Sequence, residues 1–358
     1  MDFPRAVCAG VLLCGSAGGA AAQDDWELFV EGEAFAYSES APIIDLLDGL
    51  ETERFRAGGE EAFTHNVLRA GVGWKGWRLA GVARYDYAVA YSPDTANALV
   101  ARVEIPDGPK DVVLKANHTQ GYGAELWREI GIGERFRVDV GLQVFRATTI
   151  TDGRLSGSVV TDGGDIASGT LELDYVYTDD LLLRRVLPDR SGTGVSLNLR
   201  AEWQATDALT LAYRLDDAVG RVWWDEVDRT VADADTQLLR RDGEGIIDVR
   251  PTLRGVNSVE SHEQTLRPRH WLEARYGLSD RWAVSQDIRV NGSQWFATSG
   301  ADYLAGDSVR IGPRVEWATG AFGAEVEAGP LFVRAMSDSW RPGTARYADV
   351  RVGLRAGW

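Results

Sequence analysis

Charged side chains of both signs stand at every second position in many segments of this sequence. Arg84 is followed by Asp86, and Arg137 by Asp139, with one uncharged residue between them. Arginine and carboxylate groups pair closely, so such a set either braces a filled interior or lines a polar passage for hydrated solutes. The candidate site residues of this kind are Arg84, Asp86, Arg137, Asp139, Arg200, Glu202, Arg214, Asp216, Glu273, Arg275, Asp287, Arg289, Arg310, Arg314, Glu316, Glu325, Glu327, Asp349, Arg351 and Arg355.

The sequence offers little for a metal ion. The four histidines, at positions 65, 118, 262 and 270, include no pair at the four-residue spacing of two ligands on one helix. Asp233 and Asp235 belong to an acidic stretch that lacks the ligand spacing of a calcium loop. A solvated acidic loop explains that stretch, and we expect no metal site.

Patterns that could carry catalysis also have a simpler explanation. Gly71, Gly73 and Gly76 match the spacing of a dinucleotide-binding loop, but that motif needs a helix after it, and strand patterns lie on both sides here. No serine stands in a G-x-S-x-G turn. We expect no cofactor and no catalytic residue, and an enzyme is not predicted. A hydrolase stays as a third alternative, because catalytic groups contributed by distant strands would leave no local motif.

The segments that carry the charges read as β-strands. In the last one, Val350, Val352 and Leu354 alternate with Arg351 and Arg355 over about a dozen residues, which is the period of a strand. That length suits one tilted crossing of a bilayer. An arginine on the lipid face at mid-bilayer costs about 2–4 kcal/mol, so the charged face must point into a lumen.

The connections between these strands predict the topology. Five short turns, at 75–76, 131–134, 206–208, 279–280 and 319–321, alternate with six longer polar stretches, at 38–60, 92–115, 149–192, 226–267, 298–307 and 336–343. This rhythm indicates an antiparallel up-and-down transmembrane barrel with short periplasmic turns and long outer loops. It gives about twelve strands; a hairpin within 169–187 would raise the number to fourteen. Pro313 and Pro330 fall inside predicted strands, where proline removes a ladder hydrogen bond.

The first 22 residues are typical of a secretory signal peptide. Both cysteines lie within it, so disulfides and cysteine chemistry are excluded from the remaining chain. Residues 23–358 are predicted to form a single barrel domain. The formal charge of -16 argues against nucleic acid as a partner, because phosphate binding needs a basic surface.

Taken together, the signal, the alternating strands, the turn-and-loop rhythm and the terminal aromatic strand resemble Gram-negative outer-membrane β-barrel proteins of porin-like architecture. The resemblance implies location in the cell outer membrane, with membrane lipid and the barrel-assembly machinery as partners. Val352, Leu354 and Trp358 match the carboxy-terminal signal that this machinery reads. Removal of Trp358 is expected to lower assembly mildly.

Because many activities share this fold, function must be argued from the lumen. The charged inward face predicts a narrow passive channel for small polar solutes. The alternative is a non-conducting interaction or structural protein that acts through its outer loops, of which 149–192 and 226–267 are long for plain connections.

Overall fold

A computed structural model describes residues 26–47, 56, 58–99, 106–162, 165–180, 185–235, 239–241, 247–249, 252–306 and 308–357. The predicted signal peptide and Trp358 lie outside these residues. Two short helices, α1 (Ile43–Leu47) and α2 (Pro93–Leu99), and one 3-10 turn (Pro342–Thr344) belong to outer connections. No helix of the described ranges is long and apolar enough to span a membrane.

Nearly all of the regular structure is β-strand, as the period-two alternation predicts. The strands are β1 (Trp26–Ser38), β2 (Glu61–Trp74), β3 (Trp77–Tyr91), β4 (Gly108–Ile132), β5 (Phe136–Asp162), β6 (Asp165–Tyr177), β7 (Gly192–Gln204), β8 (Leu209–Asp235), β9 (Leu239–Arg241), β10 (Ile247–Val249), β11 (Thr252–Thr265), β12 (Arg269–Gly277), β13 (Trp282–Asn291), β14 (Gln294–Ala305), β15 (Val309–Glu316), β16 (Phe322–Ala328), β17 (Leu331–Ser337) and β18 (Tyr347–Gly357).

Fourteen of the strands in the described residues close into one antiparallel barrel. The order runs β1 to β5, then β7, β8 and β12 to β18. Closure comes from β1 pairing with β18 along eleven residue pairs, from Glu27 opposite Gly357 to Tyr37 opposite Tyr347. Closure leaves no barrel edge with unsatisfied backbone groups, which a lipid environment would not tolerate.

The outer surface of the barrel carries an apolar belt. Each belt residue is a large hydrophobic side chain that stays well exposed, as lipid-facing residues must: Leu28, Leu68, Leu79, Leu126, Leu142, Leu197, Leu272, Ile288, Ile311 and Val352. Exposed tryptophans border the belt at both ends, Trp26, Trp74, Trp77, Trp203 and Trp282 near the periplasmic turns and Trp223, Trp295 and Trp317 near the outer rim. This is the interfacial girdle arrangement of membrane barrels.

The predicted count of twelve barrel strands is wrong, because the described residues form fourteen. The two additional strands do not come from the hairpin predicted within 169–187. Residues predicted as the loop 298–307 belong mostly to β14, which follows β13 through a tight turn at Gly292, whose φ is 61°. A second tight turn, at Gly329 and Pro330, separates β16 from β17. Each missed turn split one predicted strand into two. The turn at 319–321 consequently lies at the outer end and not at the periplasmic end.

The predicted loops 149–192 and 226–267 contain long strand extensions. β5 and β8 each have 27 residues, whereas a tilted crossing needs about 9–11. Their outer halves pair with β6 and β11, which lie outside the barrel proper. Together with the start of β4 they form an outer sheet, in the order β4, β5, β6, β8, β11, that stands above one side of the rim. The loop predicted at 92–115 likewise ends early, since β4 begins at Gly108.

The two prolines lie in different places. Pro330 is in a periplasmic turn, while Pro313 is exposed on the outer face of β15. The β14–β15 ladder is interrupted beside Pro313, between the pairs of Gly300 with Arg314 and Tyr303 with Ile311. A residue without an N–H explains the interruption.

Candidate functional site: the barrel lumen

Inward side chains from strands on opposite sides of the barrel meet in the middle of the lumen. Alternation places Arg84 of β3 on the inner face, and a bulge in β8 turns both Asp216 and Asp217 inward. Asp217 has a φ of 55°, a left-handed conformation that aspartate tolerates better than most residues. The bulge therefore adds a carboxylate that strict alternation would have pointed at lipid.

Asp217 is the hub of one half of a central ion-pair layer. The Arg84 guanidinium donates to both of its carboxylate oxygens, at 3.0 and 2.9 Å, although three barrel strands separate β3 from β8. Arg269 of β12 approaches the same carboxylate at 2.5 Å. Asp86 pairs with both arginines, at 2.7 and 3.1 Å, and contacts His65. All of these charges lie deep in the lumen, and each is neutralised.

Glu33 of β1 anchors the other half of the layer. It pairs with Arg214 of β8 at 2.7 Å and with Arg289 of β13 at 2.9 Å. Arg334 of β17 continues this half, because it lies 2.9 Å from Asp287 and 3.3 Å from Asp349. Buried charges remain ionised only when paired in this way, so the layer braces the barrel from wall to wall.

Aromatic rings stack on several of these arginines. The guanidinium carbon of Arg351 lies 3.3 Å from the centre of the Trp271 ring, and that of Arg289 lies 3.9 Å from the centre of Phe35. Arg200 packs against Trp127 at 4.6 Å. Cation–π contacts of this kind help to hold the guanidinium groups in place.

Above the layer, toward the outer rim, an aromatic cluster crosses the lumen. Its buried members are Phe35, Phe63, Ala88, Phe296, Ala321, Met336 and Tyr347, with Tyr37 packed against them. Phe35 of β1 meets Phe296 of β14 edge to face, with ring centres 5.3 Å apart. Because β1 and β14 lie on different walls of the barrel, these contacts close the outer part of the passage.

Below the layer, the lumen is open. A cavity of about 1080 Å³ occupies the periplasmic end, and Trp26, Trp74 and Trp77 are among the residues at its border. Its wall carries charges of both signs, including Glu31, Arg78, Asp139, Arg200, Glu202, Glu273, Arg351 and Arg355. The lumen is thus a charged periplasmic vestibule that ends at ion pairs.

No protein-family model and no curated protein matches the sequence. Among solved structures, the toluene transporter TodX of Pseudomonas putida is similar, with 8% identity over 93% of this chain and 89% of that chain and a TM-score of 0.41. The toluene transporter TbuX of Ralstonia pickettii has 10% identity over 93% and 90%, with a TM-score of 0.35. A FadL homologue of Pseudomonas aeruginosa has 11% identity over 92% and 87%, also with a TM-score of 0.35.

The closed barrel and its girdled apolar belt decide where the protein resides. Only a closed barrel satisfies every strand edge in lipid, and barrels of this construction are outer-membrane proteins. The chain is an outer-membrane β-barrel protein. Its solute or partner must be inferred from the lumen and the outer surface, since the fold is shared by many activities.

The twenty candidate residues all lie in barrel strands of this protein, on inward positions. All but Glu273 and Glu316 take part in an ion pair within 4.0 Å. Glu316 instead accepts hydrogen bonds from the backbone N–H groups of Ala318 and Thr319. Arg137 with Glu202 and Arg310 with Glu327 form half-exposed pairs away from the central layer.

Several lumen residues escaped the sequence argument. They are Glu31, Glu33, Arg69, Glu125, Asp217, Arg269, Trp271, Asp302 and Arg334. Glu31 and Glu33 alternate with apolar residues on β1, which was a usable signal. Asp302 and Arg334 were hidden by the two missed turns. Only the bulge explains Asp217, because the Asp216-Asp217 doublet breaks the alternation.

His262 and His270 lie in different parts of the structure. His262 binds Asp152 at 2.8 Å on the outer sheet, and His270 binds the Tyr213 hydroxyl at 2.8 Å on the outer face of the barrel. Among the residues that the structure describes, no serine hydroxyl forms a hydrogen bond with either ring. Within the same residues, no group of three or more His, Cys, Asp or Glu side chains could hold a metal ion.

Proposed function

We propose that this outer-membrane protein is a narrow channel for small polar solutes, and that the conformation described is its closed state. The observation that carries the proposal is the periplasmic cavity of about 1080 Å³, whose charged wall ends at the central ion-pair layer. A charged solute can exchange places with members of such pairs, whereas an apolar solute would leave the lining charges without compensation.

Two obstacles separate the cavity from the outside. A solute must part ion pairs such as Arg84 with Asp217, and must then displace the aromatic cluster around Phe296. Side-chain rearrangement at both levels would open a path without any change in the strand ladder. The expected conductance is therefore small and intermittent.

Planar bilayers test the proposal directly. Purified protein should give discrete conductance steps that become larger with salt concentration. The absence of steps at every voltage and salt concentration would overturn it. Liposomes loaded with a neutral sugar and a charged solute of equal size provide a second readout. The charged solute should leave faster than the sugar, because the charged lumen favours its passage.

The outer sheet favours a second candidate, a surface interaction role. Arg229 of β8 bridges Asp174 of β6 at 2.8 Å and Glu260 of β11 at 2.7 Å, so the projection is internally braced. Surface segments that a rigid scaffold positions often carry binding residues. Deletion of the outer sheet should then abolish function in a complementation assay while conductance, if present, persists. Full function after the deletion would exclude this role.

A further inference from the structure

The wall of the periplasmic cavity contains a notch at Ala212 of β8. On one side Ala212 is paired with Glu202 of β7, and on the other with Glu273 of β12. Neighbouring strands lie about 4.8 Å apart, so the backbones that carry the two glutamates lie about 10 Å apart. The alanine side chain between them is a single methyl group. All three residues line the cavity.

The next inward row, one step deeper, is cationic. Arg200 of β7 is paired across the ladder with Arg214 of β8, which is itself opposite Trp271 of β12. Arg214 is held by Glu33 at 2.7 Å and Asp216 at 2.6 Å. Arg200 has a much weaker partner, since its nearest carboxylate, Glu31, lies 3.6 Å away and its Nε has no hydrogen bond in the structure as described.

In the row that contains Glu202 and Glu273, Glu273 is the residue that lacks a close partner. Glu202 is paired with Arg137 at 3.1 Å, but no hydrogen bond or ion pair within 4.0 Å reaches Glu273 from the described residues. A half-buried carboxylate without a partner is costly unless a ligand supplies one. The notch thus offers one undersatisfied anion, Glu273, and one undersatisfied cation, Arg200, facing the same open space.

We infer that this notch binds a small zwitterionic solute, with its cationic group at Glu273 over Ala212 and its anionic group at Arg200. The inference rests on the proposed channel and names the class of solute that would enter it. Arg200 and Glu273 lie two strands and one row apart. The site therefore fits a solute whose opposite charges are separated by a short chain better than it fits an ion of one sign.

Binding can be measured without conduction. The probe is 4-aminobutanoate, and butylamine and butanoate are matched compounds that each keep only one of its charges. Isothermal titration of the folded protein in detergent micelles gives the three affinities. We expect 4-aminobutanoate to bind about tenfold more tightly than either single-charge compound, as an added charge-assisted hydrogen bond provides. Equal affinities for the three compounds, or no binding of 4-aminobutanoate, would overturn the inference without any need for a variant.

Two substitutions assign the charges. Glu273→Gln should weaken the binding of 4-aminobutanoate and butylamine about tenfold and leave butanoate unchanged. Arg200→Gln should weaken the binding of 4-aminobutanoate and butanoate about tenfold and leave butylamine unchanged. Asp207→Asn, in an exposed periplasmic turn, is the control and should change nothing. Heat-modifiable mobility on gels establishes that each variant is folded. Unchanged affinity of a folded Glu273→Gln protein would contradict the assignment.

The outcome is separable from that of the channel proposal. Conductance steps together with an absence of 4-aminobutanoate binding would remove the zwitterion site and leave the channel. Selective binding without any conductance would remove the channel and leave a periplasm-facing binding site in a closed barrel.

Discussion

At the scale of the residue, the lumen depends on a few carboxylates that serve several arginines at once. Asp217 is the clearest case, because it contacts Arg84 and Arg269 and also accepts a hydrogen bond from the Ser196 hydroxyl at 2.6 Å. Its side chain is almost fully buried. Loss of its charge would leave two arginines with only Asp86 between them.

We therefore predict that Asp217→Asn lowers the free energy of unfolding by about 3 kcal/mol or more, the range found when one partner of a buried ion pair is removed. Asparagine tolerates the left-handed backbone at this bulge, so the loss reports the charge and not backbone strain. Urea titration of the protein in micelles measures it. Asp207→Asn, whose pair with Arg135 is exposed, should leave the unfolding curve unchanged. Equal curves for the two variants would show that the central layer contributes no stability.

At the scale of the element, each strand must keep its apolar face toward lipid. Val352 and Arg351 of β18 are neighbours on opposite faces, and Val352 is 42% exposed while Arg351 is 6% exposed. Asp349 would still have Arg334 at 3.3 Å and Arg289 at 3.7 Å if Arg351 were removed. The two positions form a matched pair for testing the strand.

Val352→Arg should strongly reduce assembly, because an outward arginine near mid-bilayer costs about 2–4 kcal/mol. Arg351→Ala should assemble almost normally. Heat-modifiable mobility of outer-membrane fractions on gels compares the two. Should Val352→Arg assemble as well as Arg351→Ala, the assignment of faces on β18 would be incorrect.

The outer sheet provides a prediction for pH. The hydrogen bond from Arg229 lowers the pKa of Asp174 below its usual value. A carboxylate with a depressed pKa stabilises the folded state above its unfolded pKa, and this contribution is lost as the pH falls through the folded pKa. Asp174→Asn should therefore speed hydrogen exchange in β6 at neutral pH, with a difference from the parent protein that disappears in strong acid. A difference that persists at low pH would mean that Asp174 acts by packing and not by charge.

At the scale of the whole molecule, conduction requires the outer closure to open. Phe296 contacts Phe35, Tyr37, Phe63 and Tyr347 across the lumen, with ring centres 4.9 to 6.2 Å apart. A smaller side chain at this position removes the contact that joins β14 to β1 above the ion-pair layer. The ion pairs below it would be left as the sole barrier among the described lumen residues.

Phe296→Ala is expected to increase the size or frequency of conductance steps in planar bilayers. Trp295→Ala is the control, since Trp295 directly precedes Phe296 on β14 and points outward, 62% exposed. It should alter membrane anchoring and leave the steps unchanged. Identical conductance for both variants and the parent protein would place the barrier elsewhere.

The sequence by itself determined the class of fold, the face that each well-alternating strand turns inward, and the enrichment of that face in charges of both signs. These properties follow from the side-chain period of two and from the cost of charge in lipid, which act on each strand separately. The number of strands needed more, because the turns at Gly292 and Gly329 are so short that they interrupt the alternation by only one or two residues.

The state of the lumen was decided by the tertiary structure alone. Whether inward arginines and carboxylates line a passage or close it depends on which opposite walls approach, and Arg84 meets Asp217 from 133 residues away. No periodic pattern in the sequence predicts the bulge that turns Asp217 inward. The aromatic cluster likewise joins β1, β2, β14 and β18, residues whose shared position follows from barrel closure and from no local pattern. Long-range contacts of this kind depend on how the sheet curves and closes. Local patterns in the sequence do not show which distant residues will meet.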